Sequence, residues 1–168
     1  MTSFKQKILS LSPAVFCWDR ISIRPIQDDY DIWYAVVECQ LTPEQTDYVN
    51  PAGFSIGRAY LDPNNHVPCI IWLDDQRIGY IVFRTWSKGN ANSWSYYLDR
   101  RYQGNGYGRA AARLAVQVLQ SADPDFPIKL SAEANNKKAH RLYRSIGFQH
   151  YGEMDGNDLV FEYKEVTQ

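Results

Sequence analysis

The sequence has no long hydrophobic run, no surplus of positive charge and few cysteines, and each shortage removes a class of function. No segment reaches the ~20 successive apolar residues of a membrane-spanning helix, so no membrane association is expected. With 18 Lys+Arg against 19 Asp+Glu the formal net charge is -1, and no basic stripe marks a nucleic-acid footprint. Cys17, Cys39 and Cys69 are odd in number and far apart, without a CxxC pair or Cys/His ligand spacing. They are expected to be reduced core thiols in a cytoplasmic protein, with no metal bound. The opening stretch holds two lysines and the apolar Ile8–Leu11. Pro13 and Asp19 break it too early for a secretory signal. Residues 1–20 are therefore expected to form a partly ordered N-terminal arm. No repeat or linker divides residues 21–168, which are expected to form one domain; the 168-residue chain is long enough to bury a core.

What is present is an ordinary globular composition, 45% hydrophobic and 22% charged, with an aromatic share of 14% that suggests a pocket or interface lined by rings. Ile21–Arg24 alternates and meets Pro25, as a short strand does. Asp28 and Asp29 open a helical stretch whose Ile32, Trp33, Val36 and Val37 share helical spacing. Thr42-Pro43-Glu44-Gln45 reads as a helix start, and a further short helix is expected near Ser55–Leu61. Cys69–Leu73 and Ile78–Phe83 flank the polar turn 74–77 as a buried hairpin, and Trp94–Leu98 follows a polar loop over 87–92. Ala111, Leu114, Ala115, Val118 and Leu119 mark one face of a helix that Asp123-Pro124 ends. Ile128–Ala132 is a strand after a helix, the signature of parallel pairing. Asn136 caps a last helix, stopped at Gly147, and the strands Phe148–Gly152 and Leu159–Tyr163 close the chain around the turn 155–157. The order β-α-α-β-β-β-α-β-α-β-β implies an α/β fold with helices around a mixed central sheet.

Between the strand ending at Leu98 and the next helix lies Gln103-Gly104-Asn105-Gly106-Tyr107-Gly108-Arg109. Glycines there let backbone N–H groups approach an anion, and a helix N-terminus favours negative charge. The segment is not a Walker loop, because Arg109-Ala110 follows where Lys-Ser/Thr would be needed. It is not a dinucleotide fingerprint, because the third glycine comes one residue early. Gln103-x-x-Gly106-x-Gly108 resembles the Q/R-x-x-G-x-G/A motif of the GNAT superfamily of N-acetyltransferases. Asn136-x-x-Ala139-x-x-Leu142-Tyr143-x-x-x-Gly147-Phe148 resembles its second motif at the expected spacing. A narrower likeness, to bacterial spermine/spermidine (diamine) acetyltransferases, lies in Leu41-x-Pro43-x-Gln45-x-x-Tyr48-Val49-x-Pro51, with Ser55 and Ala59-Tyr60 after it.

The resemblance implies acetyl-CoA as co-substrate, a small-molecule amine as acceptor with polyamines first and an aminoglycoside, an amino acid or a protein N-terminus as alternatives, and a homodimer by family habit alone; a non-catalytic acyl-CoA sensor is the reading of another class. It implies that Gln103, Gly104, Asn105, Gly106, Tyr107, Gly108 and Arg109 hold the CoA pyrophosphate, and that the Leu98 N–H polarises the thioester carbonyl. By the same likeness the pantetheine arm lies where the strand ending at Leu98 splays from Ile128–Ala132, and Asn136 bonds to it. Tyr143 becomes the general acid, a phenol able to protonate the leaving thiolate. Some polyamine enzymes of the superfamily carry a glutamate near the start of the strand ending at Leu98; this chain has Asn92-Ser93-Trp94 there. Glu133 is the replacement general base, with Glu38 and Glu44 as rivals or substrate anchors. Lys137 and Lys138 stay open between a solvated face and the CoA 3′-phosphate, and the histidines are assigned no role. Glu153, Asp155, Asp158, Glu162 and Glu165, against Lys164 alone in the last twenty residues, offer an acidic wall to a cationic amine.

Overall fold

A computed structural model describes residues 1–165. In chain order the elements are helix α1 (Phe4–Leu9), strands β1 (Cys17–Trp18) and β2 (Ile21–Pro25), and helices α2 (Asp29–Trp33) and α3 (Ala52–Leu61). Strands β3 (His66–Leu73), β4 (Gln76–Trp86) and β5 (Ala91–Leu98) come next, then helix α4 (Tyr107–Ala122) and strand β6 (Lys129–Glu133). Helix α5 (Lys137–Ser145) and strands β7 (Phe148–Asp155) and β8 (Asp158–Tyr163) complete them. Thr42–Gln45 forms only a 3-10 turn, closed by a reciprocal cap between Thr42 and Gln45.

Strands β1 to β5 pair antiparallel in sequence order, and β6-β8-β7 form a second antiparallel sheet. The mixed character of the whole rests on one parallel bridge, Asn92 to Ile128, where the Asn92 N–H donates to Pro127 O at 2.8 Å. Beyond that bridge β5 and β6 part, and the rest of the β5 edge is left open.

Helices cover both faces of the larger sheet. On one face α4 buries Ala111, Ala112, Leu114, Ala115, Val116, Val118 and Leu119 against Ile23, Ile71, Ile81 and Phe83, and Phe148 and Phe161 of the smaller sheet extend this core. Each large apolar side chain so buried contributes about 1.5–3 kcal/mol. On the other face Tyr34, Ala35 and Ala52 pack on Ile70, Tyr80, Val82 and Tyr97.

Two expectations need correction. Residues 1–20 are not a partly ordered arm. Ser3 and Gln6 cap α1 reciprocally, and Phe4 and Ile8, four residues apart on one helix face, are buried in the main core. The thiols are not all internal: Cys69 is buried, Cys39 half-buried and Cys17 exposed. The apolar residues of α2 and the π turn 34–38 point outward, with Ile32, Trp33, Val36 and Val37 all exposed, while Asp31, Tyr34 and Ala35 are buried. An ion pair sets this orientation. Asp31 accepts from Arg77 Nε at 2.8 Å and from the Gln27 N–H at 3.0 Å, and the guanidinium lies 4.5 Å from both the Tyr30 and Trp72 rings.

Candidate active site

The glycine loop is built to present backbone. Gly104 and Gly106 adopt φ of +82° and +83°, in the left-handed region, and a Cβ on either would meet no protein atom within 4 Å. The constraint at both positions is therefore the backbone and the space above it. Gly106 is the N-cap of α4, no side chain caps that end, and its carbonyl accepts from the Ala110 N–H. The N–H groups of residues 107–109 begin the helix with no carbonyl behind them. Arg109 stands beside them, its guanidinium donating to Ser145 O at the end of α5. Gln103 turns inward: its Nε2 donates to Leu98 O at 2.9 Å and to Gln45 Oε1 at 2.7 Å. In this structure Gln103 is a brace between strand end, loop and the 43–45 turn.

Register fixes what the end of β5 presents. Asp99 N–H donates to Ile78 O, so Leu98 and its partner Gly79 form a non-hydrogen-bonded pair. By the same alternation Asn92, Trp94, Tyr96 and Leu98 direct their N–H groups away from β4. Asn92 reaches Pro127, while Leu98 faces the opening between β5 and β6. Gly79 permits the close approach beneath it, since a Cβ there would lie 2.5 Å from Tyr97 O.

Tyr143 reaches the same region from α5, half-buried, with its ring 5.6 Å from Phe161 and 6.1 Å from Phe148. Burial pushes its phenol up to about 12, so it holds its proton throughout neutral pH. Tyr96, which the sequence reading passed over, has its phenol raised by burial and then by the nearby Tyr143, and its hydroxyl donates to Gly108 O at 2.9 Å. Strand alternation, which puts Tyr96 on the α4 face with Leu98, was the signal available for it. Asn136 Oδ1 accepts from the Ala139 N–H and caps α5, leaving the amide NH2 as its free donor. Glu133 is exposed at the end of β6, opposite Asp158 in the ladder, and its carbonyl accepts from His140.

A family profile described as "Acetyltransferase (GNAT) family" matches residues 28–148. This chain belongs to the GNAT acetyltransferase family. Among its relatives is the spermine/spermidine N(1)-acetyltransferase of Bacillus subtilis, 28% identical over 153 residues that span 87% of this chain and 99% of that protein. The N-acetylaspartate synthetase of Rattus norvegicus is 25% identical over 72% of this chain and 38% of that protein. The fold is shared with the spermidine N-acetyltransferase of Vibrio cholerae, solved with CoA and spermine. That match has a TM-score of 0.64 at 15% identity and covers 86% of this chain and 94% of that one.

The remaining candidate residues of this GNAT enzyme are dispersed. Glu38 accepts from the Tyr30 hydroxyl at 3.1 and 3.2 Å, Glu44 is exposed on the 43–45 turn, and neither lines a cavity with Glu133. Lys137 Nζ donates to Ala134 O. The acidic wall expected from the C-terminal residues is largely paired: Glu153 binds Lys129 at 2.8 Å, Glu162 binds Lys164 at 2.6 Å, and Asp155 binds Lys88. Two of those lysines come from outside the segment in which the charges were counted. Asp99, also passed over, is fully buried where β5 ends. It accepts from the Arg101 N–H and guanidinium at 2.9 Å and from the Gln40 N–H. Burial pushes its carboxyl up, but the Arg101 and Gln40 donors outweigh that and hold it below the usual value. Under α3, on the face away from α4, a cavity is lined by Arg58, His66, Arg84, Ser55, Tyr80 and Ser95 among others. Among the described residues no metal-binding cluster occurs and no helix is long and apolar enough to cross a membrane.

Proposed function

We propose that this enzyme transfers the acetyl group of acetyl-CoA to a primary amine of a small molecule. One arrangement carries the reading: an uncapped helix start behind two left-handed glycines, beside an open strand edge that directs the Leu98 N–H into the gap between β5 and β6. Acetyl-CoA supplies an activated acyl thioester. The N–H groups of residues 107–109 hold its pyrophosphate, with Arg109 alongside and Gly104, Asn105 and Gly106 leaving the approach clear. Gln103 keeps the loop and Leu98 in register. The Asn136 amide donates to the pantetheine arm, and the Leu98 N–H polarises the carbonyl. The neutral amine attacks the carbonyl carbon; the C–N bond forms as the C–S bond breaks. Tyr143 gives its proton to the departing sulfur, and the surplus amine proton passes to Glu133 or to water.

Spermidine and spermine lead the acceptor candidates. Relatives are named for them, the stretch from Leu41 to Tyr60 resembles the diamine enzymes, and Glu38 and Glu44 are available as anchors. A second reading, an amine that also bears an acid, is favoured by the arginines of the cavity under α3, and one relative is named N-acetylaspartate synthetase. The test is release of CoA thiol from acetyl-CoA on adding an amine, with the N-acetyl product identified by mass. Acetyl-CoA binding without amine-dependent release would overturn the proposal.

A further inference from the structure

Three residues far apart in the chain, Arg58, His66 and Arg84, line the cavity under α3. His66 pairs with Arg84 across β3 and β4, and Arg84 pairs with Ser93 across β4 and β5. Side chains paired across a ladder share a face. Alternation along β4 puts Arg84 on the face of Tyr80 and Val82, the one that α2 and α3 cover. Arg58 reaches the same cavity from α3.

The charge here is lopsided. Among the described residues lining the cavity none is acidic, and neither Arg58 nor Arg84 makes an ion pair. Arg58 lies 5.9 Å from the Phe54 ring and Arg84 6.0 Å from that of Trp86. Burial and then the like charge of Arg58 lower the pKa of Arg84. Asp155, the carboxylate that acts on it, already pairs with Lys88. Beside Arg84, Ser93 is 1% exposed and its hydroxyl has no hydrogen-bond partner. His66 is buried, with Nδ1 3.1 Å from Asp62 O and 3.5 Å from the Asp62 carboxylate, which faces His66 rather than the two arginines.

Two like charges held together in one cavity are unfavourable, and an anion between them would relieve the repulsion. Guanidinium groups suit carboxylate and phosphate, which accept paired hydrogen bonds. The cavity is also in the right place, because its wall includes Ser95–Tyr97 of β5, the residues just before Leu98. A polycation would set its own charges against Arg58 and Arg84.

We infer that this cavity is an anion subsite of the acceptor site, and that the amine acetylated also carries a carboxylate or phosphate. The inference rests on the N-acetyltransferase reading above and, for its acceptor, takes the acid-bearing amine in place of the polyamine.

The test uses amines matched except for the acid: β-alanine against propylamine, phosphoethanolamine against ethanolamine, with spermidine as the polycation. CoA release is followed with the full-length enzyme. The acid-bearing member of at least one pair should have a kcat/KM higher by about tenfold or more. The pair that shows it separates carboxylate from phosphate. Arg84→Gln and the more exposed Arg58→Gln should each shrink that ratio by raising the KM of the acid-bearing amine, and Arg84→Lys should restore part of it. Equal turnover within both pairs, or spermidine preferred over every acid-bearing amine, overturns the inference. A binding measurement separates this failure from failure of the enzyme reading. Succinate or inorganic phosphate should raise the Tm of the wild type, and the rise should be lost in both arginine-to-glutamine variants. If no amine releases CoA yet this anion effect appears, the transferase reading fails and the anion subsite stands. No anion effect, or one indifferent to both arginines, removes the subsite.

Discussion

The two faces of the larger sheet are built differently. The α4 side, with the loop before it, works through backbone: glycines at φ near +80°, an uncapped helix start and the Leu98 N–H. The α2/α3 side offers side chains from separate elements: Arg58 from α3, His66 from β3 and Arg84 from β4. A backbone site needs residues close together in sequence and of restricted type, so it survives wide divergence elsewhere. A side-chain site can be rebuilt by single substitutions. In the proposed reaction the half that would handle the constant co-substrate is of the first kind, and the half that would choose the acceptor is of the second.

The contrast breaks most directly at Gly106. Gly106→Val puts a β-branched residue in the left-handed region and a Cβ over the loop. CoA affinity should fall roughly 100-fold in a folded protein, read by isothermal titration. Undiminished affinity would remove the loop from the donor site. Tyr143→Phe should lower kcat by roughly 100-fold with little change in the KM for acetyl-CoA, as expected of a group that acts only as the thiol leaves. Because burial raises the Tyr143 phenol to about 12, wild-type kcat should show no loss of this proton up to pH 10. A limb with an ordinary tyrosine value that vanishes in Tyr143→Phe would show the phenol unburied in the complex.

Smaller effects probe the struts between the two faces. Asp99→Ala removes the acceptor of the Arg101 and Gln40 donors and should cost roughly 2–3 kcal/mol in urea unfolding. Since the folded carboxyl is held below its usual value, this contribution is present at neutral pH. It is lost as pH falls through the folded value, so the two proteins should converge in acid. His140, buried against Phe161 and bonded to Glu133 O, has its pKa lowered by burial despite the favourable carbonyl contact. The unfolded chain therefore takes up its proton first as pH falls below the ordinary histidine value. Stability should decline there, and less so in His140→Gln.

The sequence made the donor side legible because its signals are local. Gln103 to Gly108 is one contiguous loop, the α4 face repeats at helical spacing, and Asn136 caps α5 within three residues. The N-terminal segment was misjudged because its burial depends on α4, about a hundred residues away, as in the Gln117–Val15 contact. Helical spacing of Ile32, Trp33, Val36 and Val37 located the α2 stretch but not the side it buries, which the buried Asp31–Arg77 pair holds inward. Charge counting over the last twenty residues missed Lys88 and Lys129, which cross from β4–β5 and β6 to neutralise it. The cavity under α3 was invisible for the same reason: His66 and Arg84 become neighbours only through sheet register, and Arg58 joins them from α3.

The central claim, that backbone amides of the loop and strand end hold the co-substrate, is tested most directly by amide NMR shifts of the folded protein on titration with CoA and then acetyl-CoA. The largest shifts should fall on the N–H groups of residues 104–109, and Leu98 should respond further when the acetyl group is present. Shifts concentrated on α3 or on β7 and β8, with 104–109 and Leu98 unmoved, would contradict it.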